Sequence, residues 1–249
     1  MLSPLAISTI AFVFIFGGAL GGMALRRVLA EKLSNDAKDA VRLSMGLIGT
    51  IAALVLGLLI ASAKTSYDGK VTKLREIAVN VILSDNLLEQ YGAEALPARR
   101  LLRATVESTI DRIWGEGDPT RTGPFEASPQ ARAFYTAVEN LAPTNDAQRA
   151  LQARVLNLLT EVAQARLALF TQAGTGIPLP FLAILVFWLA MIFASFSLFS
   201  RAEPVVIVAL FVCSLSSACA LLLILEMDRP FAGVMGIPSA ALRHALAPL

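Results

Sequence analysis

Charge is missing from four long stretches of this chain. Residues 1–25, 43–63, 167–200 and 204–225 contain no Asp, Glu, Lys or Arg. Charged residues are 16% of the whole, against about 25% in an ordinary soluble domain. A helix needs roughly 20 residues to cross a hydrocarbon core of about 30 Å, and all four runs reach that length. The runs are continuously apolar, without the short alternating segments of a membrane barrel. Lipid offers the backbone no partners, so helices are the remaining solution. The sequence therefore predicts an all-α, polytopic membrane protein.

Other scarcities exclude whole classes of function. There is one histidine, His244, and there are two cysteines, Cys213 and Cys219. The cysteines lie six residues apart in the last apolar run, on different helix faces, which argues against a mutual disulfide. They read as small residues in a packed helix. No Cys/His set of metal-ligating spacing exists, so neither a metal nor a cofactor is expected. The net charge is only +2, from 21 basic and 19 acidic residues, which argues against a nucleic-acid partner. Glycine-rich phosphate loops, Gly-x-Ser-x-Gly and His-Glu-x-x-His are absent, so the chain is not expected to be an enzyme. No ionisable carboxylate, Lys, Arg or His lies inside a span, which argues against proton-coupled transport but not against a channel. Met1 to Ser8 carries no side-chain charge, and Arg26 and Arg27 follow the apolar stretch. That order predicts a retained first span rather than a cleaved leader.

What is present gives an architecture of two hairpins. Transmembrane hairpin 1 covers 1–63, with spans at about 4–25 and 43–63. The first span carries Gly17, Gly18, Gly21 and Gly22, spaced for close helix approach. A short polar loop, 26–42, holds five basic and three acidic groups, with Val28, Leu29 and Leu33 as one amphipathic turn. In the second span Gly46, Gly49, Ala53 and Gly57 recur at helical spacing, so all four share one stripe, with Thr50 at its edge. Ile48, Ile51, Val55, Leu58 and Leu59 form the opposite face. The stripe reads either as helix packing, for example against the glycines of the first span, or as a pore lining in an oligomer.

Residues 64–176 carry 13 basic and 13 acidic side chains and form a central helical extramembrane domain. Four helices are predicted there. The first covers about 66–91, with heptad-like Val71, Leu74, Ala78, Val81 and Leu88 interrupted by Asp85. It is able to continue directly from the second span, with Gly69 the weak point and Gly92 the stop. The second opens at Pro97 and runs to Trp114. After a Gly- and Pro-rich loop, 115–129, Ser128 caps a short helix bearing Phe134, Tyr135 and Val138. The last helix, about 146–173, aligns Leu151, Val155, Leu158, Val162, Ala165 and Leu169. The 66–91 and 146–173 helices are expected to pair, within or between subunits. A break at 174–180 precedes transmembrane hairpin 2, residues 177–227, with spans at about 181–199 and 204–225. Ser214, Ser216 and Ser217 in the fourth span either line a path or bond back to the helix. Residues 228–249 are an interfacial C-terminal tail.

The chain ends its fourth span with Glu226-Met227-Asp228-Arg229-Pro230-Phe231. As an interfacial signature, Arg229 pairs with Asp228 or Glu226 and Pro230 ends the helix; the alternative is a ring of carboxylates from several subunits facing an ion. Both termini and the middle domain share one side of the membrane. The short loops carry six basic residues and the tails two, Arg229 and Arg243. That count puts the short loops in the cytoplasm and the middle domain on the non-cytoplasmic side of the cell (inner) membrane.

The tail LEMDRPFAGVMGIPSAALRHAL (225–246), together with GLLIASAKTSYD (57–68), resembles the bestrophin-like family of bacterial and plant membrane proteins. The most specific part is Asp228 to Phe231, followed by a glycine and a Ser-x-x-Leu-Arg element. The resemblance covers essentially the whole chain. It implies kinship with bestrophins, pentameric anion channels with four spans per subunit, although no acidic calcium clasp is present here. In bestrophins the middle region is cytoplasmic, opposite to the charge count. The expected function is a homo-oligomeric ion channel or channel-like protein in a lipid bilayer. The alternative is a non-conducting scaffold or sensor whose middle domain binds a protein partner.

Overall fold

The computed structural model describes residues 3–29, 35–114, 128–172, 179–200, 203–228, 233 and 235–246. Every regular element among them is helical: α1 (Pro4–Leu29), α2 (Asn35–Tyr91), α3 (Leu96–Trp114), α4 (Pro129–Glu139), α5 (Asp146–Gln172), α6 (Leu179–Phe199), α7 (Pro204–Met227) and α8 (Ala240–Leu246), with one 3-10 turn at Ala93–Ala95. Four of these helices are long and apolar enough to cross a membrane. Backbone contacts divide the chain into two units, 1–66 with 176–229 and 67–175 with 230–249.

The first unit is built on α1. Its Phe12 and Phe16 rings stack at 5.8 Å, and Phe211 of α7 meets each edge-on at 5.5 Å. Such edge-to-face pairs are favoured by the ring quadrupole. Arg26 near the end of α1 donates to the carbonyl of Ser200, just past α6, so α1 and α6 run parallel. The Arg42 guanidinium lies 5.4 Å above the Phe199 ring, a cation–π contact. The end of α1, the polar start of α2 and the end of α6 therefore lie at one end of this unit. Its core gathers Ala11, Ala52, Leu182, Leu185, Ile192 and Leu221.

The first span's glycines divide by function. A Cβ on Gly18 would stand 2.9 Å from the Ala190 carbonyl oxygen, and one on Gly22 would collide with Ala194 and Ser197. Gly17 and Gly21 have nothing within 4 Å. Gly18 and Gly22 are the positions where α1 closes on α6, against alanines that are also four residues apart. Lipid-embedded helices associate by this kind of backbone approach.

The second unit is a helical cluster around Leu74, Leu88, Leu102, Val106, Val138 and Val155. Its caps follow from the sequence. Gly92 takes φ +118° and ends α2, a conformation that favours glycine. Ser128 accepts from the Ala131 N–H at 3.1 Å, and Asn145 from the Gln148 N–H at 2.8 Å, each filling an orphan donor of a first turn. Gln152 donates to the carbonyls of Val138 and Leu141 at 2.9 and 3.1 Å, serving the end of α4. The outer half of α2 and α5 lie antiparallel. Asn80 donates to Glu161 at 3.2 Å, and Gln148 to the Tyr91 carbonyl at 3.0 Å. The heptad-bearing helices thus meet within one chain. The C-terminal segment, expected at the membrane interface, puts Ile237 and Leu242 into this core, and the Trp114 indole donates to the Ile237 carbonyl at 2.7 Å.

The second span continues directly into the following helix, as the sequence allowed, while the start of that helix differs from expectation. The second span and the following helix are one helix of 57 residues, with Gly69 inside it. One glycine costs a helix interior about 1 kcal/mol, too little to interrupt so long an element. The same helix starts at Asn35, eight residues before its apolar run at 43, because hydropathy marks where a helix is dry and not where it begins. The predicted loop at 115–127, the break at 174–178 and the turn carrying Leu33 lie outside the described residues.

Candidate functional site

The small-residue stripe of α2 is the feature with most to offer, and its surroundings are sparse. Gly46, Ala53 and Gly57 are exposed and Gly49 is half-buried. A Cβ built at Gly46, Gly49 or Gly57 would meet nothing within 4 Å. Packing of this stripe against the first span's glycines, one of the sequence expectations, does not occur within the chain: Gly18 and Gly22 face α6. The covered face of α2 is Ile48, Ala52, Val55, Leu56 and Leu59, at spacings of four, three, one and three that keep one helical side. Ile51 and Leu58, expected on that side, are exposed instead. Only 6% of the most apolar window of α2 is buried, against 28%, 28% and 17% for α1, α6 and α7. Within one chain, α2 is the least covered of the four spans.

The fourth span presents serines and an acidic end. Ser214 is fully buried and its hydroxyl has no partner, as is also true of buried Ser8 on α1. Ser217 bonds back to the Cys213 carbonyl at 3.0 Å, the ordinary resolution for a serine in an apolar helix. Ser216, Cys213 and Cys219 are exposed on the surface of α7. Glu226 is buried in the last turn of α7 and Asp228 stands at its C-cap. Arg229, Pro230 and Phe231, the rest of the signature, lie outside the described residues. Among the described residues no three His, Cys, Asp or Glu side chains are placed to hold a metal.

Sequence reasoning passed over one polar pair in the second unit. Asp85, which reads as a flaw in the heptad, is 1% exposed. Both its oxygens take N–H groups of Arg99 at 2.7 Å, a bidentate pairing, and Glu89 stands 3.7 Å from the same guanidinium. The hydrogen bond to Asp85 raises the Arg99 pKa above its ordinary value, partly offset by desolvation. A carboxylate in the middle of an apolar stripe was the available signal. Its partner, on the next helix, was not identifiable from spacing alone.

Fold and site together define a class: a four-span helical membrane protein with a helical region inserted between two hydrophobic hairpins. The model of the bestrophin-like domain matches residues 12–242, and the chain belongs to that family. Two crystal structures of a bacterial bestrophin homologue from Klebsiella pneumoniae, each carrying a single substitution, share the fold. One superposes with a TM-score of 0.70 at 16% identity over 96% of both chains. The other gives 0.67 at 16% over 95% of both. No curated protein matches the chain in sequence.

Proposed function

We propose that the chain assembles with copies of itself into an ion channel in the cell (inner) membrane, with α2 beside the conducting path. The carrying observation is the uncovered small-residue side of α2, Gly46, Gly49, Ala53 and Gly57, on the least buried span of the chain. Backing one face of a span into lipid wastes glycines; backing copies of it around an axis leaves room for water between low, apolar walls. Membership of the bestrophin-like family and the shared bestrophin fold support the same reading. At the fourth span's exit, buried Glu226 and the C-cap Asp228 begin the interfacial signature proposed from the sequence.

The test is native mass spectrometry in detergent followed by planar-bilayer recording of the same preparation. A closed ring of four or more subunits with ion conductance is expected. A monomer, or a ring silent across salt, pH and calcium, overturns the proposal. A stable partner protein recovered with a poreless monomer or dimer would favour the scaffold reading instead.

Sidedness is argued from two directions. The basic residues of the short loops favour the cytoplasm for that end and place the middle domain outside. Kinship with bestrophins favours the reverse. Labelling a cysteine at exposed Asp36, in the polar loop before the second span, with a membrane-impermeant maleimide in a Cys213→Ala/Cys219→Ala background separates them in intact cells. Protection supports the charge count, and labelling supports the kinship.

A further inference from the structure

The edge of the hydrocarbon layer is marked three times in the first unit, and the three marks meet. The charge-free runs 1–25, 43–63 and 167–200 are bordered by Arg26, by Arg42 and by the turn after Ser200. Arg26 donates to the Ser200 carbonyl, and the Arg42 guanidinium lies 5.4 Å from the centre of the Phe199 ring. Two cations therefore flank the end of α6 at the level where three spans leave lipid. A bilayer places its phosphates at that level.

The two arginines are used differently. Arg26 is half-buried and closes the end of α6 through a backbone carbonyl. Arg42 is stacked on a ring, which uses the face of a guanidinium and leaves its N–H edges for an acceptor in the same plane. Its ion-pair partner among the described residues is Asp39 on the same helix, at 3.5 Å, with the two side chains 61% and 70% exposed. An exposed pair of this kind holds little, so the fork is open to a stronger acceptor. Leu25, Leu43 and Phe196 are exposed on the apolar side of the boundary, as a surface for acyl chains.

The charges select the occupant. Those that border the runs here are, in sequence, Arg26, Arg42, Arg201 and Glu203, an excess of cations that draws anionic lipid. A guanidinium fork matches two phosphate oxygens. A choline head group would seek an aromatic face for its ammonium, and Arg42 already covers that of Phe199. We propose that the end of α6 binds an anionic glycerophospholipid, its phosphodiester on Arg42 beside Arg26 and its chains along Leu43 and Phe196.

The test titrates the full chain in detergent with dioleoylphosphatidylglycerol or dioleoylphosphatidylcholine and reads bound lipid by native mass spectrometry. At matched concentration the first lipid is expected to be retained at least about tenfold better, the scale of one charge-assisted hydrogen bond. Arg42→Gln is expected to remove that preference with thermal transition and subunit number unchanged, because the side chain is exposed. Arg42→Lys keeps the charge without the fork and is expected to fall between the two. Lys38→Gln removes a neighbouring charge that borders no apolar run and is expected to keep the preference. Equal retention of both lipids by the unaltered chain overturns the proposal, as does a preference that survives Arg42→Gln. So does equal loss in Lys38→Gln, which would mean diffuse attraction without a site. Displacement of the lipid by inorganic phosphate would make this a site for free anions, and a changed subunit number in Arg42→Gln would make the partner a second copy of the chain; either result overturns the proposal.

Discussion

At the scale of single residues, the second unit concentrates its risk in Asp85. A buried carboxylate is tolerated only while its partner remains. Arg99→Ala strands that charge, and a loss of about 3–5 kcal/mol is expected, read as the first thermal transition of the purified protein. The double variant Asp85→Leu/Arg99→Leu is expected to recover most of it, since a well-packed apolar pair often replaces a buried ion pair at little cost. Equal loss in both variants would show that the pair is not the source. Tyr91 offers the opposite case. Its hydroxyl is buried without a partner, and burial, with the charge of Glu94, raises its pKa. Because the folded state resists ionising this phenol, its contribution is complete below pH of about 10, the ordinary tyrosine value, and is lost as pH rises above it. Tyr91→Phe removes an orphan group and is expected to leave stability unchanged or raise it by up to about 1 kcal/mol; a marked loss in chemical denaturation would reveal a hidden partner. On α1, Gly22→Ala drives a methyl into the Ala194 carbonyl, and overpacking of this kind costs about 1–3 kcal/mol. Gly21→Ala, one position away in open space, is expected to be neutral or slightly stabilising in the same melting experiment.

At the scale of elements, the charge-free runs were the most legible part of the sequence. They mark four spans because burial in lipid is a constraint on every residue of a segment at once. Caps were legible for a similar reason: Ser128 and Gly92 each act on backbone within four residues. The start of α2 at Asn35 was not, since polar helical residues outside the membrane leave no hydropathy signal. Nor was the Asp85–Arg99 pair, which depends on how α3 turns back along α2. The α2 stripe was visible as periodicity, but the side of it that lacks a neighbour became visible only with α1 committed to α6. Gly69 tests the continuity of α2. It is exposed, inside the helix, with nothing within 4 Å of a built Cβ. Gly69→Ala is expected to add about 1 kcal/mol of helix stability, measured as slower amide exchange on both sides of the position. Unchanged exchange there would mean that the helix already opens elsewhere first.

At the scale of the whole molecule, the question is what covers α2. Its exposed apolar residues, Leu43, Leu47, Leu54 and Leu58, are 64–77% exposed, and lipid satisfies them. Its small-residue stripe gains nothing from lipid, because glycine contributes almost no apolar area and weakens a helix. A neighbouring helix or a water column are the two environments in which the stripe has a physical reason. Tryptophan substitution distinguishes them. Ala53 lies at the middle of the stripe and is exposed, and Leu54, the next residue, is rotated by about 100° onto the lipid-compatible side. If the stripe lines a path, Ala53→Trp keeps the ring intact by native mass spectrometry while most of its conductance disappears. Leu54→Trp leaves both unchanged. If the stripe is instead a seam between subunits, Ala53→Trp breaks the ring, and conductance falls only in proportion to the rings lost. The proposed channel requires the first pattern, and the second would transfer the stripe from conduction to assembly.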